Sequence, residues 1–160
     1  MPTPHKKTFH PSYRLLHLRK GQSEILRQLV QMFGEAFEEP ETYLSKKTSS
    51  EYLEGLLQKS HIIFICAVFE DRVVGGLAAY VLEKFEQERS EVYIYDLAVH
   101  SDHRRKGIAT GLIEKLKETV KDLNAWVIYV QADREDEPAI LLYESLGSRE
   151  DVLHFDIPVR

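Results

Sequence analysis

Asp96-Leu97-Ala98-Val99-His100-Ser101-Asp102-His103-Arg104-Arg105-Lys106-Gly107-Ile108-Ala109-Thr110 joins two segments of different periodicity. Residues 92–99 are strand-like and almost continuously apolar, which predicts burial on both faces. Residues 110–123 follow the helical period. Between them stand three cations, Arg104, Arg105 and Lys106, and then Gly107. A helix N-terminus offers unpaired backbone N–H groups and the positive end of a dipole. Glycine lets the backbone come close to a ligand where a side chain would stand in the way. The junction therefore reads as a cradle for a polyanion, and a pyrophosphate fits it.

Downstream, residues 125–132 read as a second buried strand. Strand, helix and strand of these lengths imply a right-handed crossover and parallel pairing. Upstream, residues 62–70 and 72–82 read as an antiparallel hairpin with Asp71 near its turn. Residues 83–90 form a charged excursion before the central strand. Residues 13–19 read as a first strand. Residues 23–37 place Ile25, Leu26, Leu29, Val30, Phe33 and Phe37 on one helical face, with Ser23 as N-cap. Residues 38–50 read as polar loop, and Thr48 and Glu51 have capping-box spacing for a short helix through Leu53, Leu56 and Leu57. After an acidic loop at 133–137, Pro138 suits a helix start and Gly147 its end. A final strand is expected over 152–157. The sum is an α+β chain: a mixed sheet, part antiparallel and part parallel, flanked by helices.

The chain has 160 residues and a formal charge of −5. One domain over 13–160 is expected, behind a loose tail at 1–12 that carries Pro2, Pro4 and Pro11. No apolar run approaches the roughly 20 residues of a membrane span, so no membrane partner is expected. The acidic balance argues against nucleic acid and suits a cationic substrate, although the same charge also simply favours solubility. The single cysteine, Cys66, excludes an internal disulfide and fits a reducing, cytoplasmic compartment.

Arg104-x-x-Gly107-x-Ala109 resembles the acetyl-CoA signature of the GCN5-related N-acetyltransferases (GNAT), and Tyr143 with Leu146-Gly147 resembles that family's later landmarks. Longer strings are more specific. Tyr80-Val81-Leu82-x-Lys84-Phe85-Glu86-Gln87, Tyr93-Ile94-Tyr95-Asp96-Leu97-Ala98-Val99, Tyr129-Val130-Gln131-Ala132-Asp133 and His154-Phe155-Asp156-Ile157 are similar to the aminoglycoside 3-N-acetyltransferases of the GCN5-related type. The resemblance covers nearly the whole chain. It implies the GNAT fold, with a bulge in the fourth strand and the fourth and fifth strands splayed apart. It also implies acetyl-CoA as cosubstrate, no metal, and direct transfer to the 3-amino group of a 2-deoxystreptamine drug. It allows a homodimer, although no interface is legible in the residues.

Carried onto this chain, the resemblance gives Leu97, Ala98 and Val99 the pantetheine arm, with an N–H near Leu97 to steady an oxyanion. Arg104, Arg105, Lys106, Gly107, Ile108, Ala109 and Thr110 take the pyrophosphate. Asp96 is the expected general base. An ordinary aspartate, near pKa 3.9, is too acidic for the task, and burial would raise it. The plainer reading of Asp96 is a buried carboxylate that caps a bulge or pairs with a cation. Tyr143 is the expected acid for the leaving thiolate; without the resemblance it reads as a core tyrosine. Glu83, Asp133, Glu135, Asp136 and Glu137 are candidate contacts for substrate amines, and Tyr80 a candidate aromatic wall. Glu35, Glu38, Glu39 and Glu41 form a second acidic cluster. An acidic loop is also simply solvated, and suits a helix N-terminus. His100 and His103 lack further ligands for a metal set. Cys66 reads as a small buried hydrophobe, and Gly75-Gly76 as a bulge or close approach. The alternatives in function are acetylation of a polyamine or a protein amine, and a non-catalytic acyl-CoA-binding sensor.

Overall fold

The computed structural model describes residues 12–160, so the tail expected over 1–12 lies outside the described residues apart from Ser12. The chain divides into two compact units, one ending at Val130 and one running from Gln131 to Arg160. No helix among the described residues is long and apolar enough to cross a membrane.

The first unit is built on strands β1 (Arg14–His17), β2 (Ile62–Phe69), β3 (Arg72–Glu83), β4 (Ser90–Val99) and β5 (Ala125–Val130). Their spatial order is their chain order, antiparallel throughout except for the β4–β5 pair, which is parallel. The expected hairpin is present, and Glu70 and Asp71 both take positive φ at its turn, as a tight twisted hairpin requires. Helices α1 (Ser23–Ala36), α2 (Pro40–Leu44), α3 (Ser50–Leu57) and α4 (Ile108–Val120) complete the unit.

One face of the sheet is covered by α1 and α3. Leu26, Leu29, Met32, Phe33 and Leu53 pack there with Phe64, Cys66, Ala78 and Ala98. α4 contributes Ile108, Leu112 and Leu116, all buried, against the residues that alternate to the other face. Each such buried Leu or Ile stabilises the fold by about 1.5–3 kcal/mol. Gly76 permits the fit of α1: a Cβ there would stand 2.8 Å from the Ile65 carbonyl oxygen and run into Leu29. The close-approach reading of the glycine pair is therefore right.

Several local expectations are corrected. The N-cap of α1 is Gln22, and Ser23 is already helical. The polar loop contains α2, started by Pro40 in the position that suits proline. Ser49 caps α3 by accepting from the Tyr52 N–H at 3.0 Å, so the Thr48–Glu51 box does not form. α4 stops at Val120, and a single 3-10 turn carries the chain to Asn124 in the left-handed region. β4 is not buried on both faces: Val92, Ile94 and Ala98 are buried, whereas Tyr95 is 63% exposed. α1 covers that face at Ala78 and Ala98 and leaves the rest open. β5 is half-exposed rather than buried because it ends the sheet, with Trp126 and Tyr129 open to solvent.

The second unit holds helix α5 (Glu137–Leu146). Asp136 caps it by accepting from the Ala139 N–H at 3.2 Å. Pro138 lies in its first turn, as expected, and Gly147 closes it, donating its N–H to the Tyr143 carbonyl oxygen at 2.9 Å. The strand expected over 152–157 is absent, and Leu153, Phe155 and Ile157 are exposed. A strand completes its hydrogen bonds on a neighbouring backbone, and none pairs with this segment among the described residues.

Candidate active site

β4 runs into a 3-10 turn, Ser101–His103, and then into α4. Arg105 (φ 62°) and Gly107 (φ 79°) both adopt left-handed backbone, and Gly107 is the N-cap of α4. Such coiling turns successive N–H groups toward one point, an anion-binding nest. The N–H groups of Ile108, Ala109 and Thr110 belong to the first helical turn and have no acceptor within the helix. Gly75 on β3 makes room for the start of α4: a Cβ there would stand 3.2 Å from Ile108 Cγ2. The Arg104 guanidinium folds back, its Nε donating to the Val99 carbonyl oxygen at 3.0 Å, and Lys106 Nζ donates to the Asp102 carbonyl oxygen at 3.3 Å. Donors, dipole and charges fit a pyrophosphate. The two histidines serve the turn itself. His100 Nδ1 accepts from the Asp102 N–H at 3.3 Å, and His103 Nδ1 lies 3.0 Å from the Tyr13 hydroxyl.

Before that turn, β4 changes character. Its register against β3 shifts between Ala78 and Ala79: Ala79 faces Ile94 and Ala78 faces Asp96, which leaves Tyr95 as the extra residue. This is the bulge the resemblance implied. β5 pairs with β4 only from Ser90 to Ile94. From Tyr95 onward β4 has β3 on one side and no strand on the other, among the described residues. The backbone of Leu97, Ala98 and Val99 therefore presents an open edge that can take an extended chain by strand addition.

Asp96 sits at this transition, half-buried. Burial pushes its carboxyl above the ordinary range; a hydrogen bond from the Tyr43 hydroxyl, 3.0 Å to Oδ1, pulls the other way, and the Glu39 charge pushes up again. The plainer reading of Asp96 as the partner of a cation does not hold: the group it engages is a phenol. Tyrosines line the same face. Tyr80, Tyr93 and Tyr129 are register partners across β3, β4 and β5. The Tyr93 and Tyr129 rings stack at 4.7 Å, and Tyr95 meets Tyr80 edge-on at 6.1 Å and Tyr93 at 5.8 Å. This makes a broad aromatic platform beside a carboxylate.

Of the expected site residues, Tyr80, Asp96, Leu97, Ala98, Val99 and the turn from Arg104 to Thr110 all lie at one end of the first unit. Glu83 does not join them. It lies five positions along β3 from Ala78, roughly 17 Å away and alternating to the opposite face. Glu39 is brought to Asp96. In the second unit, Asp133 and Asp136 bracket a turn, the Asp136 N–H donating to the Asp133 carbonyl oxygen at 3.0 Å. Asp136 is also the helix cap, and Glu135 and Glu137 are exposed. Tyr143 is half-buried on α5; burial first, and then the Asp136 charge, push its hydroxyl up to about 12. The residue that sequence reasoning missed is Tyr43. Its one signal is Pro40, three positions ahead, which starts a helical turn where a loop was expected. Cys66 is fully buried and its thiol is pushed up to about 12 by burial, so it is inert packing.

Residues 26–147 match the acetyltransferase (GNAT) family. Among solved structures, an aminoglycoside acetyltransferase from an uncultured soil metagenomic sample is 53% identical, with a TM-score of 0.91 over 93% of this chain and 99% of that one. Another soil-metagenome aminoglycoside acetyltransferase, in complex with sisomicin, is 29% identical, with a TM-score of 0.87 over 96% of this chain and 100% of that one. Among curated proteins, an N-alpha-acetyltransferase of Saccharolobus solfataricus is 32% identical over 102 residues, 57% of this chain and 59% of that protein. The chain spans little more than half the length of the curated relatives it matches.

Proposed function

The chain belongs to the acetyltransferase (GNAT) family, and from that premise we propose an acetyl-CoA-dependent aminoglycoside N-acetyltransferase that acts on the 3-amino group of 2-deoxystreptamine and confers resistance. The observation that carries this reading is the Asp96 carboxylate at the bulge, flanked by a tyrosine platform and an open strand edge. The 53% identity to an aminoglycoside acetyltransferase supports the substrate class.

Acetyl-CoA supplies the acetyl group as a thioester. The turn from Arg104 to Thr110 holds its pyrophosphate, and the open edge of Leu97, Ala98 and Val99 pairs with its pantetheine arm. The Leu97 N–H donates to the thioester carbonyl oxygen, where negative charge grows. Asp96 attracts the ammonium form of the acceptor and takes its proton, so that a neutral amine attacks. Burial, which raises its pKa, makes it a better base than an ordinary aspartate. Tyr143, kept protonated, gives its proton to the leaving sulfur. The tyrosine platform packs against sugar rings. Glu39, and among Asp133, Glu135, Asp136 and Glu137 those that reach the drug, meet its ammonium groups. A homodimer and a cytoplasmic setting, the latter resting on the single reduced Cys66, belong to the same proposal.

A second reading, acetylation of a protein N-terminus, is favoured by the N-alpha-acetyltransferase relative. Thiol release from acetyl-CoA separates the two when gentamicin, spermidine and an N-terminal peptide are compared, with NMR of the product to place the acetyl group. Turnover of gentamicin with acetylation at the 3-amino group is expected. Turnover of the peptide or spermidine with none of gentamicin overturns the proposal, and no thiol release with any of the three amines leaves only an acyl-CoA-binding sensor.

A further inference from the structure

Tyr43 reaches Asp96 across 53 positions of sequence, and theirs is the hydrogen bond that Asp96 accepts among the described residues. α2 can bring it there because of a notch in α1. A Cβ at Gly34 would stand 3.1 Å from both Leu44 Cγ and Tyr43 Cβ. Gly34 lies in the last turn of α1, and a side chain there would crowd the closely approaching α2. The Tyr43 ring is then fixed against Phe33 and Phe37, with centroids 6.2 Å and 5.8 Å away. The other groups facing Asp96 are Glu39, ahead of α2, Tyr80 from β3 and Tyr93 from β4 itself.

Resting on the reading of Asp96 as the base, we propose that Tyr43 is a positioning residue that holds Oδ1 of Asp96 so that Oδ2 meets the acceptor amine, and that Gly34 exists to let it do so. The same bond opposes burial and the Glu39 charge, both of which favour the protonated, non-basic form of Asp96. A hydroxyl that donates to a carboxylate stabilises its charged form. Removing the hydroxyl therefore moves the ionisation of Asp96 upward in pH.

The test is Tyr43→Phe, which keeps the ring and its packing. In the full-length protein with acetyl-CoA and gentamicin, the acid limb of kcat/KM is expected to move up by about one pH unit, the worth of a hydrogen bond to a charged group. kcat at the optimum falls about tenfold, and KM for acetyl-CoA stays put. The 13C shift of the Asp96 carboxyl, titrated without substrate, moves in the same direction. Gly34→Ala gives a smaller shift of the same sign with Tm retained. An acid limb and a carboxyl titration that both stay in place in Tyr43→Phe overturn the proposal, even if kcat falls, because loss of packing alone moves neither. That outcome, with Asp96→Asn still inactive, leaves the base reading intact. Full activity in Asp96→Asn removes the base reading itself.

Discussion

β4 is one strand with two unlike halves. Residues 90–94 pair on both sides, with β3 and with β5, and Ser90, Val92 and Ile94 are buried. Residues 95–99 pair with β3 alone, begin with a bulge, and carry an exposed tyrosine and a carboxylate lifted above its ordinary range. The first half has a paired strand on either side and anchors the fold. The second has one edge without a strand among the described residues and places a half-buried carboxyl there, two features that cost stability and that a ligand can put to use. One extra residue, Tyr95, divides them. A bulge bends a strand and ends regular pairing, and here it does so on the strand that leads to the helix N-terminus proposed to receive the anion.

That contrast can be broken by substitution on either side of Tyr95. The largest effect is expected from Asp96→Asn: kcat falls about 10³-fold, the range of general-base catalysis, as read from thiol release. Its stability does not fall. A carboxyl whose folded pKa lies above its unfolded value loses stability as pH rises through that window, so removing its charge at neutral pH leaves the unfolding free energy equal or higher. Ile94→Ala, two positions away and 1% exposed, does the reverse. It costs about 3 kcal/mol in urea unfolding, while KM for acetyl-CoA in the folded fraction is unchanged. Tyr95→Ala has the smallest effect. Stability moves by less than about 0.5 kcal/mol for an exposed side chain, and KM for gentamicin rises about fivefold as one aromatic face of the platform is lost. A Tyr95→Ala variant as unstable as Ile94→Ala would show that the bulge is structural rather than functional.

The turn from Arg104 to Thr110 was legible in the sequence because its physics is local. A glycine able to take positive φ, a cluster of cations and an amphipathic helix all lie within a few residues. The hairpin and the parallel crossover were legible for the same reason: each depends on adjacent elements. Tyr43 was not, because its role depends on α2 docking onto Gly34 of another helix and on a partner 53 positions away. The tyrosine platform was visible only as separate aromatics; it takes the register of three strands to align Tyr80, Tyr93 and Tyr129. Glu83 looked suitable by charge, and strand alternation sends it to the other face. The apolar alternation of residues 152–157 promised a strand, but a pattern supplies no neighbouring backbone to pair with. The bulge came from the family resemblance, since no residue type encodes it by itself.

The central claim is that the half of β4 beyond Tyr95 holds an activating carboxylate, and the pH dependence of kcat/KM for gentamicin addresses it most directly. The account predicts an acid limb at a pKa above that of an ordinary aspartate, with activity falling as pH drops through it, and no such limb in Asp96→Asn. The same limb and the same kcat in Asp96→Asn as in the parent would contradict it.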